Sequence, residues 1–212
     1  MIIEVRHVPP FSKNGFVVAC PDTREGIVID PGDEVDQLLD IVRRRELAVK
    51  YILLTHAHLD HVTGVARAKA ALGVPIGLHR ADEFLYKAVV QQGIAFGFKV
   101  DPQPPIDFYL EDGGPWRFGG YAAWVSHTPG HSPGGVCLAI GRETETARVL
   151  VVGDTLFAGG IGRTDLPGGS LEVLLSSIRN VLFQFPDESI VWPGHGERTT
   201  IGQERRTNPF LA

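Results

Sequence analysis

Short apolar runs with many β-branched residues open the chain. Ile2–Val8, Phe16–Cys20 and Gly26–Asp30, divided by Pro and Gly, predict strands joined by tight turns. From Glu34 to Leu47 the period lengthens, with Val35, Leu38, Leu39 and Val42 on one stripe, and predicts a helix. Val49–Leu54 reads as a short apolar strand, Thr63–Leu72 as an Ala-rich helix, Ile76–His79 as a strand and Ala81 to Gln92 as a helix. Gly93–Pro105 is rich in Gly and Pro, has no period, and reads as a loop. Phe108–Leu110, Tyr121–Ser126, Val136–Ile140 and Arg148–Val152 are expected strands. Leu171 to Phe185 is expected to be a helix, with Leu171, Leu174, Leu175, Ile178 and Leu182 at helical spacing. A last strand, Ser189–Trp192, runs into Pro193-Gly194-His195-Gly196. This order predicts an α/β chain: an αββα sandwich of two mixed β-sheets flanked by helices, in a single domain over residues 1–212.

Composition changes that picture little. With 43% hydrophobic and 21% charged residues the chain is an ordinary globular one, large enough to fold without disulfide or metal. The net charge of −5 argues against a nucleic-acid partner, and the basic runs Arg43–Arg45 and Arg205–Arg206 read as solvated helix faces. Cys20 and Cys137 read as buried free thiols, which suits a reducing compartment. The first ten residues carry no basic segment followed by an apolar one, so no secretion signal is expected. No apolar run reaches the roughly 18 residues of a membrane span. A cytoplasmic protein with neither membrane nor nucleic-acid partner is the expectation.

The chemistry concentrates in Thr55-His56-Ala57-His58-Leu59-Asp60-His61, between an apolar strand and a helix. On extended chain, side chains two apart share a face, so His56, His58 and Asp60 are expected to converge while His61 turns toward a neighbouring centre. Imidazoles beside a carboxylate suit zinc, iron or manganese. Matching residues recur at later strand ends: His131 after Thr128-Pro129-Gly130, Asp154 in Gly153-Asp154-Thr155, and His195 in Pro193-Gly194-His195. Strand ends on a rigid scaffold commonly carry function. His127 is expected to support such a site rather than bind metal, and His7 and His79 to be structural. Asp30, in Ile29-Asp30-Pro31-Gly32, reads as a carboxylate that fixes a loop or an imidazole.

These four motifs in this order resemble those of the metallo-β-lactamase-fold hydrolases, and among them the single-domain glyoxalase II-like branch. The resemblance covers nearly the whole chain. It implies one divalent ion on His56, His58 and His131 and a second on Asp60, His61 and His195, with Asp154 bridging the two. Asp60 and Asp154 are then the catalytic carboxylates, zinc the first metal to expect, and iron or manganese also suited. Seven ligands exceed what one ion uses, so two ions roughly 3.5 Å apart are expected. A hydroxide lodged between two cations exists at neutral pH because coordination lowers the pKa of water to about 7. It would attack a small-molecule substrate with no side-chain nucleophile.

The branch implies a thioesterase acting on hydroxyacylglutathione or a similar thioester. Arg163, in Gly162-Arg163-Thr164-Asp165, is a candidate substrate-binding cation, and a salt bridge to Asp165 is its structural alternative. The ending Thr199–Pro209 resembles that of short glyoxalase II-like proteins, and the loop Gly93–Pro105, with Phe96, Phe98 and Lys99, is placed to cover a substrate. Full-length glyoxalase II enzymes add a C-terminal helical region that binds glutathione; this chain is expected to lack it, ending at Ala212. Two alternatives stand beside the thioesterase. One is a mononuclear-iron persulfide dioxygenase, whose motif has cysteine where Ile161 stands here; the other is a non-catalytic metal-binding protein.

Overall fold

The computed structural model describes residues 1–211. By its contacts the chain divides into two compact units: Met1–Leu110 with Phe118–Tyr121, and Glu111–Arg117 with Ala122–Ala212.

The first unit is built on a six-stranded sheet in simple chain order, of β1 (Ile2–Arg6), β2 (Gly15–Ala19), β3 (Glu25–Ile29), β4 (Ala48–Leu53), β5 (Ile76–His79) and β6 (Phe108–Leu110). The first two pairings are antiparallel and the next three parallel, so the sheet is mixed. Helices α1 (Val35–Arg44), α2 (Leu59–Val62), α3 (Val65–Leu72), α4 (Glu83–Lys87) and α5 (Val89–Phe96) join its strands. The predicted α1 stripe is the buried one: Val35, Leu38, Leu39 and Val42 pack with Val17, Val28 and Ile52 of the sheet. β2 is buried at every position, which explains why its sequence is a continuous apolar run rather than an alternation.

The second unit holds β7 (Gly113–Phe118), β8 (Tyr121–His127), β9 (Val136–Gly141), β10 (Val149–Gly153), the two-residue strands β11 (Leu156–Phe157) and β12 (Gly160–Ile161), helix α6 (Leu171–Asn180), β13 (Ile190–Pro193), β14 (Thr199–Thr200) and helix α7 (Ile201–Thr207). Its main sheet has the order β14-β13-β10-β9-β8-β7 and is also mixed, with β10 and β13 parallel. Leu174, Ile178 and Leu182 face Cys137, Leu150, Val152 and Val191 of this sheet.

The two units share one device. Each contains a parallel strand pair, β3 with β4 and β10 with β13, and parallel pairing brings both C-terminal ends to the same edge. In each pair the first strand is followed directly by Asp (Asp30, Asp154) and the second leads to His (His56, His195). Backbone bonds extend both ladders past the strands, Asp30 N to Leu53 O at 3.1 Å and Gly194 N to Gly153 O at 2.8 Å.

Several sequence expectations need correction. Asp60 is not on extended chain: α2 begins at Leu59, directly after His58 with φ −72° and ψ 154°. The stretch from Gly93 is not all loop, because α5 continues to Phe96 and ends at Gly97 with φ 78°. Gly93 marks a close approach instead: the Phe98 N–H bonds its carbonyl at 2.8 Å, and a Cβ there would lie 2.9 Å from Phe98 O. The predicted helix from Ala81 is split, with a 3₁₀ turn at Arg80–Asp82 and a break between α4 and α5. α6 stops at Asn180, and a 3₁₀ turn takes Leu182–Gln184. β7, opening on Gly113-Gly114-Pro115, lies at a sheet edge, where a strand tolerates proline.

Candidate metal centre

In the first unit the ligand-bearing loop is held by every second residue. The backbone N–H of Thr55 donates to Asp30 Oδ1 at 2.7 Å, that of Ala57 to Asp82 Oδ2 at 3.0 Å, and that of Leu59 to Gln92 Oε1 at 3.0 Å. Gln92 also donates to Ala57 O at 3.1 Å. His56 and His58 sit between these anchored positions; both are buried, with rings edge-on at 4.9 Å. His61, on α2, is fully buried, 4.0 Å from His56 ring to ring.

Asp30 fixes the protonation of two of these imidazoles. Its Oδ2 accepts from the Thr55 hydroxyl at 2.6 Å and lies 2.9 Å from His61 Nδ1. A carboxylate can only accept, so His61 carries its proton on Nδ1. The Thr55 hydroxyl gives its hydrogen to Asp30, so at 3.1 Å it accepts from His56 Nδ1. Both Nε2 atoms are thereby left as lone-pair donors, the state a metal requires. Asp30, His56 and His61 offer donor atoms within 4.8 Å of one another. Asp30 already accepts three bonds, so its part is to hold the imidazoles, the role its turn motif suggested.

The Asp30 turn is itself anchored. Asp30 has φ 48°, a left-handed conformation that Asp tolerates better than most residues. Buried Lys13 donates to Asp30 O and, at 2.7 Å, to Glu34 Oε1, which also accepts from Gly32 N at 2.9 Å. Gly32 is required here, since a Cβ would lie 2.0 Å from Asp60 O. Asp60, half-buried in the first turn of α2, has its Oδ2 3.7 Å from His61 Nε2.

In the second unit Asp154 lies between two imidazoles. Its Oδ2 is 3.6 Å from His131 Nε2 and 3.5 Å from His195 Nε2. These are too long for hydrogen bonds. Two ligands on one tetrahedral ion with bonds of about 2.1 Å sit about 3.4 Å apart, so the separations suit a shared cation. His131 Nδ1 is 2.8 Å from Arg163 O; a carbonyl only accepts, so this ring too presents Nε2 as its lone-pair atom. The Phe157 ring stands edge-on to His195 at 6.4 Å. The tautomers of His56, His61 and His131 and the spacings around Asp154 are those that metal ligation requires.

Arg163 grips Asp165 through two bonds of 2.7 Å, on the surface. That hydrogen-bonded guanidinium holds the Asp165 carboxyl down at about 2. The side chain thus makes the salt bridge named above as its structural alternative, while the backbone carbonyl orients His131. His127 Nε2 bonds Pro133 O at 2.8 Å, and His79 Nδ1 accepts from Ala81 N, both structural contacts. Cys20 and Cys137 are free and buried, as expected. Phe98 packs against Phe11 with the rings tilted, centroids 5.0 Å apart, and the two line a cleft of ≈ 410 Å³ with Leu59, Thr63, Lys99 and Gln103. Leu59 is the residue between His58 and Asp60, so this cleft shares a wall with the ligand segment. Sequence reasoning missed Lys13, Asp82 and Gln92, none of which sits in a motif.

The chain belongs to the metallo-β-lactamase superfamily, whose family model matches residues 8–195, and it has the α/β fold of that family, two mixed sheets flanked by helices. It is 39% identical over 213 residues to the hydroxyacylglutathione hydrolase GloC of Haemophilus influenzae, covering 100% of this chain and 98% of that one. Among solved structures, the B3 metallo-β-lactamase BLEG-1 is 36% identical with a TM-score of 0.89, covering 100% of both chains. TTHA1623, solved in a di-iron-bound form, is 39% identical with a TM-score of 0.85, covering 98% of this chain and 100% of that one. Within the superfamily the chain falls in the glyoxalase II-like, single-domain branch, and it is a metallohydrolase by family. Among the described residues no helix is long and apolar enough to cross a membrane.

Proposed function

We propose that this protein is a dinuclear metallohydrolase of the cytoplasm that cleaves hydroxyacylglutathione or a similar small thioester. The observation that carries this reading is the donor chemistry: three candidate imidazoles, His56, His61 and His131, hold Nδ1–H on an acceptor and keep Nε2 for a metal. In the proposed division His56, His58 and His131 hold one ion, Asp60, His61 and His195 the other, and Asp154 spans both. The bound ions supply Lewis acidity and an activated water. The protein's part is to keep His56, His61 and His131 each in one tautomer, through Thr55, Asp30 and Arg163 O, and to offer Asp154 as a shared anion. Arg163 remains the proposed cation for a substrate carboxylate, which would exchange with exposed Asp165. End-to-end similarity to a hydroxyacylglutathione hydrolase supports the thioester; zinc is the proposed metal, and the di-iron form of a relative makes iron the next choice.

Zinc is redox-inert, so it tests the chemistry directly. Protein stripped of metal and reloaded with zinc is expected to hydrolyse a small glutathione thioester under argon, followed by release of the free thiol. The comparison is iron-loaded protein given glutathione persulfide in air. Rapid oxygen uptake there, with no thioester cleavage by either metal form, would replace the thioesterase with a persulfide dioxygenase.

A further inference from the structure

The ending Thr199–Pro209 has no part in the ligand set, yet it is tied to it. Glu204, on α7, is fully buried. Its Oε1 accepts from the Thr199 hydroxyl at 2.6 Å; its Oε2 accepts from Gly159 N at 2.9 Å and Asn208 Nδ2 at 2.8 Å. Asn208 Nδ2 also donates to Gly160 O at 3.0 Å. Gly159 and Gly160 lie at the turn of the β11–β12 hairpin, so two α7-linked side chains pin that turn by its N–H and its C=O.

The hairpin in turn meets all three ligand candidates of its unit. It begins two residues after Asp154, and Gly162 at its far end packs so closely on Asp154 O that a Cβ there would lie 1.8 Å away. Phe157 in its first strand abuts the His195 ring. Arg163, just past its second strand, supplies the carbonyl that orients His131. A displaced hairpin would therefore disturb the ligands on three sides at once.

We infer that Glu204 and Asn208 are positioning residues for the metal centre, acting through the β11–β12 hairpin; this rests on the metal-centre reading above. A buried carboxylate saturated by three donors gives the hairpin one position, and groups that orient ligands commonly change metal affinity 10–100-fold when removed. Glu204→Gln replaces one acceptor oxygen with a donor facing Gly159 N or Thr199. Asn208→Ala removes the tie to Gly160 O and leaves Glu204 in place.

The test is cobalt(II) affinity, by competition with a chromophoric chelator, together with the visible spectrum of the cobalt protein. Ile178→Val, a one-methyl deletion in the apolar cluster that also holds Leu156 of β11, serves as a control for lost core packing with every hydrogen bond to the hairpin kept. Glu204→Gln and Asn208→Ala are each expected to bind cobalt at least about tenfold more weakly, with a changed spectrum. Ile178→Val is expected to keep both at the wild-type level. Wild-type affinity and spectrum in both variants would overturn the inference while the metal centre stands, and so would equal weakening in Ile178→Val. If Glu204→Gln does not fold, Asn208→Ala carries the test. A wild-type protein that binds no cobalt would overturn the metal-centre reading, and this inference with it.

Discussion

Asp154→Ala is expected to lose more metal and more activity than any other single carboxylate change in the site. Its Oδ2 stands 3.6 Å from His131 Nε2 and 3.5 Å from His195 Nε2, and these two imidazoles are assigned to different ions. On the proposed division, removing it would take an anionic ligand from both centres at once. Asp60 stands 3.7 Å from His61 Nε2 and is assigned to one ion only, so Asp60→Ala is expected to weaken one centre. The expectation is a fall in kcat/KM on the order of 10³ for Asp154→Ala, about 4 kcal/mol of transition-state stabilisation, and roughly a tenth of that factor for Asp60→Ala. Metal per protein after dialysis, measured by elemental analysis beside turnover, decides it. Equal residual metal and activity in the two variants would remove Asp154 from the bridging position.

Asp30→Asn is the second large effect, and it acts without touching a metal. The amide keeps the size of the side chain and tolerates φ 48° about as well as Asp does. Only one of its two polar atoms can accept, whereas Asp30 receives Thr55 N, the Thr55 hydroxyl and His61 Nδ1–H. With the amide oxygen on Thr55 N, the NH₂ faces His61 Nδ1 and forces the imidazole proton to Nε2, the atom that should bind the ion. The folded protein is expected to lose about 1–3 kcal/mol, the cost of an ill-matched buried hydrogen bond. Affinity at the centre containing His61 should fall by 10–100-fold. Zinc titration by calorimetry should show the event at His61 strongly weakened and the event at His56, which Asp30 orients only through the Thr55 hydroxyl, weakened less. Two unchanged events would mean that Asp30 only shapes its turn.

Much of the proposed centre was legible in the residues themselves. His56, His58, Asp60, His61, His131, Asp154 and His195 were readable as candidates because each falls in a short segment that follows an apolar strand, and strand identity follows from local composition and period. The echo between Gly26–Asp30 and Val149–Asp154 was visible too, as two apolar strands each closing on Asp. Elements of ordinary length, such as α1 and β2, were found because burial repeats along them often enough to leave a period.

What the sequence could not carry depends on contacts between distant segments. α2 spans four residues and β11 two, too short to have a period, so the helical setting of Asp60 and the hairpin beside Asp154 emerge only when the chain is folded. Gly93 looks like a helix breaker in sequence and proves to be the place where Phe98 folds back onto α5. The anchors of the ligand loop come from 25 and 33 residues away: Asp30 on Thr55, Asp82 on Ala57 and Gln92 on Leu59. Which nitrogen of His61 or His131 bears the proton is settled by a carboxylate and a carbonyl at separations of 31 and 32 residues. Residue types and local period determined which side chains could bind metal; hydrogen bonds between remote strand ends decided which atoms of those side chains are presented.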